Sequence, residues 1–160
     1  ASKTGSDQLA LSFYKSFKLP VTIIRPFNTF GPRQSTRAII PTIITQVLNN
    51  NKSIKLGNLS PTRDFTFVED TARAIDLIVE KGEVNSIYNV GSGDFRTFKE
   101  VIMMAKEFTS SKSNIISVET PEFHRKSQAK NFTLNVDKLN SLGFSPLVSL
   151  EDGLKRLCLQ

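Results

Sequence analysis

The chain has 160 residues, 39% of them hydrophobic and 22% charged, with a formal net charge of +6. That is room for one domain with a real core, and it excludes wholesale disorder. No apolar run approaches the roughly 20 residues that cross a bilayer, and the first residues lead into an amphipathic pattern rather than a signal-peptide core, so no membrane partner and a cytoplasmic location are expected. With one cysteine (Cys158) and one histidine (His124), neither an internal disulfide nor a Cys/His zinc site can be assembled. Cys158 reads as a small apolar residue of the last helix, and His124 as a loop residue. The positive charge raises nucleic acid as a partner. However, Lys15, Lys55, Arg73, Lys99 and Lys112 are scattered instead of forming a stripe, which favours a solvated surface.

In chain order, Leu9, Ala10, Phe13 and Phe17 recur at helical spacing over residues 6–17, the pattern of an amphipathic helix with one buried face that Lys18-Leu19-Pro20 ends. Lys3 lies at or before its start, a poor place for a cation beside the helix dipole, and reads from residues alone as a surface lysine. Val21, Thr22, Ile23 and Ile24 form a short buried strand that breaks at Arg25-Pro26 into a polar loop holding Asn28, Thr29, Gly31-Pro32 and Arg33. In parallel α/β sheets, ligands sit at such carboxyl ends of strands, and these groups can grip a phosphorylated or sugar-like ligand. On these residues alone the stretch is either a site or a plain connection.

A helix over 39–47 buries Ile40, Ile43, Ile44 and Val47, with Pro41 tolerated in its first turn. A short strand over 53–56 and a half-buried strand over 63–67 follow. Glu69 or Asp70 opens the next helix, and for Asp70 a capping role is expected ahead of catalysis. Residues 86–90 form another strand. The Gly91-Ser92-Gly93 turn after it is too short to count as a phosphate-binding loop. Thr97 and Glu100 make a capping box for a helix carrying Val101, Ile102 and Ala105. A strand over 115–118, a charged loop over 119–131 with His124, Arg125 and Lys126, and a brief strand at 132–134 come next. Asn135 then caps a short helix stopped by Gly143, and Ser149 with Asp152 caps the last one. Strands alternate with helices, so the fold class is α/β.

Several of these segments recur together in a known family. Lys3, Arg25-Pro26-Phe27-Asn28, Gly31-Pro32-Arg33, the run from Arg63-Asp64 to Glu69-Asp70, Tyr88-Asn89-Val90-Gly91-Ser92-Gly93 and Leu142-Gly143-Phe144-Ser145-Pro146 stand in this order. Over nearly the whole chain they resemble the carboxyl-terminal half of the extended short-chain dehydrogenase/reductase family, nearest its NAD-dependent nucleotide-sugar epimerases and 4,6-dehydratases. Within that family the runs 27–34 and 59–64 look most like N-acetylhexosamine 4,6-dehydratases. The family's Gly-rich dinucleotide fingerprint and the Tyr four residues before its Lys do not occur in this sequence.

The resemblance implies the carboxyl-terminal part of a Rossmann-like parallel sheet plus a smaller α/β substrate-binding lobe, with the Gly-rich NAD-binding half absent. Residues 1–50 would mix the end of the sheet with that lobe, and residues 51–160 would be mainly lobe. It implies NAD as cofactor in a parent protein, and a nucleotide-diphosphate sugar, an amino-terminal half and a second copy in a homodimer as partners. Lys3 would bind the nicotinamide ribose and lower the pKa of the Tyr, while Pro26 and Phe27 would line the nicotinamide. Asn28, Arg63 and Arg125 would contact the diphosphate, Arg33 the sugar, and the strand ending at Leu56 would present main-chain groups to the base. The reaction implied is oxidation at sugar C4 to a 4-keto intermediate, and the 160 residues alone are expected to be inactive. Arg63 could instead bond Asp64 or another carboxylate. Two other functional readings stay open at this point, a non-catalytic nucleotide-sugar-binding or dimerisation fragment and a basic nucleic-acid-binding domain.

Overall fold

The computed structural model describes residues 1–49, 52–119 and 134–159. Helix α1 (Ser2–Phe17) ends at Lys18, whose left-handed backbone lets its amide donate to the Tyr14 carbonyl. Strand β1 is Ile23–Pro26, two residues later than the apolar run suggested, because pairing decides the strand and only Ile23 of that run is buried. The chain then changes sheets. Residues 28–30, expected as loop, form strand β2 (Asn28–Phe30) and drive Phe30 into the core.

Helix α2 (Ile39–Leu48) buries Ile40, Ile43, Ile44 and Val47, the face its periodicity announced. Strand β3 (Ser53–Leu56) leads to β4 (Thr62–Phe67) and straight into α3 (Val68–Lys81). Strand β5 (Ile87–Val90) is followed by β6 (Phe95–Thr97), a strand its sequence did not announce. Helix α4 (Phe98–Phe108), strand β7 (Asn114–Ser117), helix α5 (Asp137–Asn140) and helix α6 (Leu150–Cys158) complete the order. Both expected caps of the longer late helices are present. The Thr97 hydroxyl accepts from the Glu100 amide while the Glu100 carboxylate accepts from the Thr97 amide, and the Ser149 hydroxyl accepts from the Asp152 amide. At α5 the Asn135 side chain accepts from the Asp137 amide, and Gly143 beyond it sits at φ +94°.

Three small sheets result among the described residues. β1 pairs with β5 in parallel, β3 with β7 in parallel, and β4 lies between parallel β2 and antiparallel β6. Because β4 is central, its two faces are both covered and Asp64 through Phe67 are all buried, where alternation alone suggested a half-exposed strand. Among the described residues, two cores sit around this framework. The larger joins Phe30, Phe65 and Phe67 to α2, α4 and α6, with the Phe30 and Phe67 rings edge to face at 5.4 Å. The smaller joins Ala74 and Ile78 of α3 to Tyr88, Val90, Leu139 and Phe144.

Helix α1 differs from its expectation. None of its residues is buried, and Leu9, Phe13 and Phe17 are 60%, 42% and 70% exposed. Its apolar face is real, but no described element lies against it. Among the described residues, no helix is long and apolar enough to cross a membrane.

Candidate functional site

Strands β1 and β5 run side by side and end together, with Pro26 opposite Val90. The Phe27 amide donates to the Val90 carbonyl at 3.0 Å, and from there one chain crosses to β2 while the other turns through Gly91. Pro26, Phe27 and Gly91 therefore stand at the carboxyl ends of neighbouring parallel strands, where the chain passes from one sheet to another. That is the position at which open α/β sheets bind ligands.

Asn28 and the 91–93 turn are held by a single residue. The Asn28 side-chain amide donates to the Asp64 carbonyl at 3.0 Å. The Asp64 carboxylate, 1% exposed, accepts from the Ser92 amide (2.9 Å), the Ser92 hydroxyl (2.7 Å) and the Gly93 amide (2.8 Å). A burial this deep is tolerable for a carboxylate only with such donors around it. Gly91 follows from the same packing, since a Cβ there would lie 2.6 Å from Asp64 Oδ2 and 2.4 Å from Leu134. The Ser92 and Gly93 amides thus already hold an anion that belongs to the protein, which is the physical reason the turn is not a phosphate loop.

Arg63 precedes Asp64 on β4 and points to the other face. It is half-buried, its guanidinium 5.7 Å from the centre of the Phe98 ring and its Nη1 donating to the Thr62 carbonyl at 2.7 Å. Burial pushes its pKa below the ordinary arginine value, leaving a partly desolvated cation near the start of β4. Asp64 is turned away to Ser92 and Gly93. The suggested Arg63–Asp64 bond is therefore not how Asp64 is satisfied.

The remaining expected residues fall in different places. Lys3 is exposed in the first turn of α1, four residues before Asp7, whose carboxylate pairs with Arg25 at 2.6 Å. Residues four apart share a helix face, so Lys3 lies one turn beyond that anchor, on the side of the carboxyl end of β1. Arg25 is thereby tied to α1 and does not join Arg63. Arg33, exposed with φ +65°, borders a cavity of about 370 Å³ with Gln34, Pro41 and Leu157 that shares no residue with the Asn28–Arg63 group. The Leu56 side chain is buried in the larger core and its carbonyl accepts from the Val118 amide, while the Gln46 amide group binds both the N–H and the C=O of Lys55. These main-chain groups of β3 are already paired within the fold. Arg125 lies outside the described residues, as do His124, Lys126 and residues 132–133 of the expected strand at 132–134, whose last residue, Leu134, is described and belongs to no strand.

Asp70, expected as a cap, is instead an anchor. It is fully buried three residues into α3 and accepts from the amides of Leu147 and Val148 at 2.9 to 3.0 Å, with Arg73 beside it. The sequence reading also missed Asp64 and Arg96. A signal for Asp64 was present, since an acid between Arg63 and three strand-forming residues in a central strand must be buried or break the strand.

The sequence model described as GDP-mannose 4,6 dehydratase matches residues 1–157. The chain belongs to that dehydratase family. It is 45% identical over 92 residues to the dTDP-D-glucose 4,6-dehydratase of Dictyostelium discoideum, 58% of this chain and 21% of that protein. Its fold matches the dTDP-glucose 4,6-dehydratase of Bacillus anthracis in complex with NAD at a TM-score of 0.87 and 30% identity, covering 99% of this chain and 50% of the other. The UDP-glucose 4-epimerase of Thermotoga maritima with UDP-glucose matches at 0.88 and 25%, covering 99% and 53%. The chain thus spans about half the length of these dehydratase and epimerase structures. The resemblance read from Arg25-Pro26-Phe27-Asn28 and Arg63-Asp64 holds, and so does the α/β fold with parallel strands.

Proposed function

We propose that this chain is the nucleotide-sugar-binding part of an NAD-dependent nucleotide-sugar 4,6-dehydratase or epimerase. The observation that supports the reading is the placement of Phe27 and Asn28 directly after the joined carboxyl ends of β1 and β5, with Asn28 bonded to the β4 backbone one residue from the partly desolvated Arg63. A diphosphate is a planar-fork target, and an arginine held against an aromatic ring meets it with little ordering cost. Asn28 offers a second, neutral contact, fixed by its bond to the Asp64 carbonyl. Pro26 and Phe27 fit one wall of a flat ring, being an exposed pyrrolidine and a half-buried phenyl at the strand mouth. NAD, when bound, supplies the acceptor for hydride from sugar C4.

Lys3 stands on the face of α1 that leads to this mouth. Its ammonium lowers the pKa of a phenol placed beside it by stabilising the phenolate. That phenol and the glycine-rich pyrophosphate turn would come from elsewhere in a longer polypeptide. Leu56 and Arg33 are secondary in this reading, since the β3 main-chain groups beside Leu56 are paired within the fold and Arg33 borders a separate cavity. The relatives named above act on dTDP- and UDP-glucose, so the test is a panel of UDP-, dTDP- and GDP-hexoses, with N-acetylhexosamines included, given to the intact protein with NAD. A 4-keto product from one of them is expected. No product and no binding of any nucleoside diphosphate would overturn the proposal.

A further inference from the structure

The strand that the sequence did not announce places a second arginine beside the first. β4 and β6 pair antiparallel with Arg63 directly opposite Arg96. Residues directly opposite across an antiparallel pair project from the same face, with Cβ atoms about 5 Å apart. Two guanidinium side chains thus leave one face of a two-strand ribbon at the edge of the larger core. Like charges directly opposite repel, so an anion that both can reach is favoured between them.

Arg96 carries the second observation. Its Nε is buried and has no hydrogen-bond partner among the described residues. Its Nη2 reaches Asp94 at 3.2 Å, but that carboxylate is 46% exposed and lies two residues away on the same strand end, so it balances the charge without satisfying Nε. A buried N–H left without an acceptor costs about 1 to 3 kcal/mol, and such groups persist in native folds where a ligand completes them. Arg63 is already partly desolvated, which strengthens its attraction for an anion placed between the two.

We propose that Arg96 is a second arginine of the diphosphate site, gripping the nucleotide-sugar diphosphate from the strand opposite Arg63. This rests on the nucleotide-sugar reading above. The two phosphoryl groups give each guanidinium its own pair of oxygens, so Arg96 distinguishes a diphosphate from a monophosphate. The buried, unpaired Arg96 Nε is the feature of the free protein that the ligand completes.

The test is calorimetric titration of UDP and UMP, and of dTDP and dTMP, into the intact protein and its Arg96→Gln and Arg96→Lys variants, with melting temperatures measured without ligand. Expected are a loss of about tenfold or more in diphosphate affinity for Arg96→Gln, within about threefold for the monophosphate, and an intermediate loss for Arg96→Lys, which keeps the charge but not the fork. The ligand-free melting temperature of Arg96→Gln should stay level or rise. Equal UDP and dTDP affinities in wild type and Arg96→Gln would overturn the role of Arg96 alone. Equal loss for diphosphate and monophosphate together with a lower melting temperature would assign Arg96 to the fold and overturn it too. A wild-type protein that binds none of the four nucleotides would instead overturn the functional reading, and this inference with it.

Discussion

Helices α1 and α3 are of similar length and both amphipathic, yet they are held in opposite ways. α3 buries Asp70, Thr71, Ala74 and Ile78, its apolar side set in the smaller core and its first turn bonded through Asp70 to the amides of Leu147 and Val148. α1 buries nothing and is tied to the described fold by the ion pair of Asp7 with Arg25. A periodic apolar stripe states that a face exists to be covered, and only the rest of the fold states by what. The tightly held part of this chain is organised by buried carboxylates that join distant segments, Asp64 to the 91–93 turn and Asp70 to the approach to α6.

The comparison breaks most visibly at Asp70. Asp70→Ala leaves the Leu147 and Val148 amides without their acceptor and should destabilise the protein by about 3 kcal/mol or more in urea unfolding. A change under about 1 kcal/mol would mean that the segment before α6 is held by its apolar contacts alone. Gly153→Ala tests the larger core. Its Cβ would lie 2.6 to 2.9 Å from the rings of Phe30 and Phe67, a loss of about 1 to 3 kcal/mol by overpacking, measured the same way.

Thr97→Ala removes the hydroxyl half of the α4 capping box, keeping the backbone amide that donates to Glu100, and should cost about 1 kcal/mol at neutral pH. The Glu100 carboxyl is held below the ordinary carboxylate range chiefly by the Thr97 amide and then by its hydroxyl. A lowered folded-state pKa gives stability that is present above the unfolded value and lost as pH falls through the folded one. The amide's share is common to both proteins, so the difference between wild type and Thr97→Ala should narrow in acid only by the hydroxyl's share, and a difference that widens would refute the hydroxyl bond. At the small end, Phe17→Ser and Leu9→Gln on α1 should change the stability of the isolated 160-residue chain by no more than about 0.5 kcal/mol. A loss of 2 kcal/mol from either would show a buried face that the fold does not present.

Much of this was legible beforehand where local physics governs. The buried face of α2, the capping box of Thr97 and Glu100 and the cap at Ser149 are set within a few residues, and the structure has them as the sequence suggested. What escaped depends on partners far along the chain. β6 is three residues long and exists because β4 offers it an edge, so Arg96 could not be seen facing Arg63. Asp70 looked like a cap because acidic residues favour a helix amino end, but the amides that donate to it lie 77 and 78 residues away. For the site, Asn28 and Arg63 were legible through the motif, and their juxtaposition through Asp64 was not.

The most direct measurement is calorimetric titration of UDP and dTDP into the intact protein and its Arg63→Ala and Asn28→Ala variants. Arg63→Ala should weaken binding by about 1.5 to 3 kcal/mol, as for a charge-assisted hydrogen bond, and Asn28→Ala by less. Equal affinities in wild type and Arg63→Ala would remove the strand mouth as the diphosphate site, and a larger loss at Asn28 than at Arg63 would reverse the order of the two contacts.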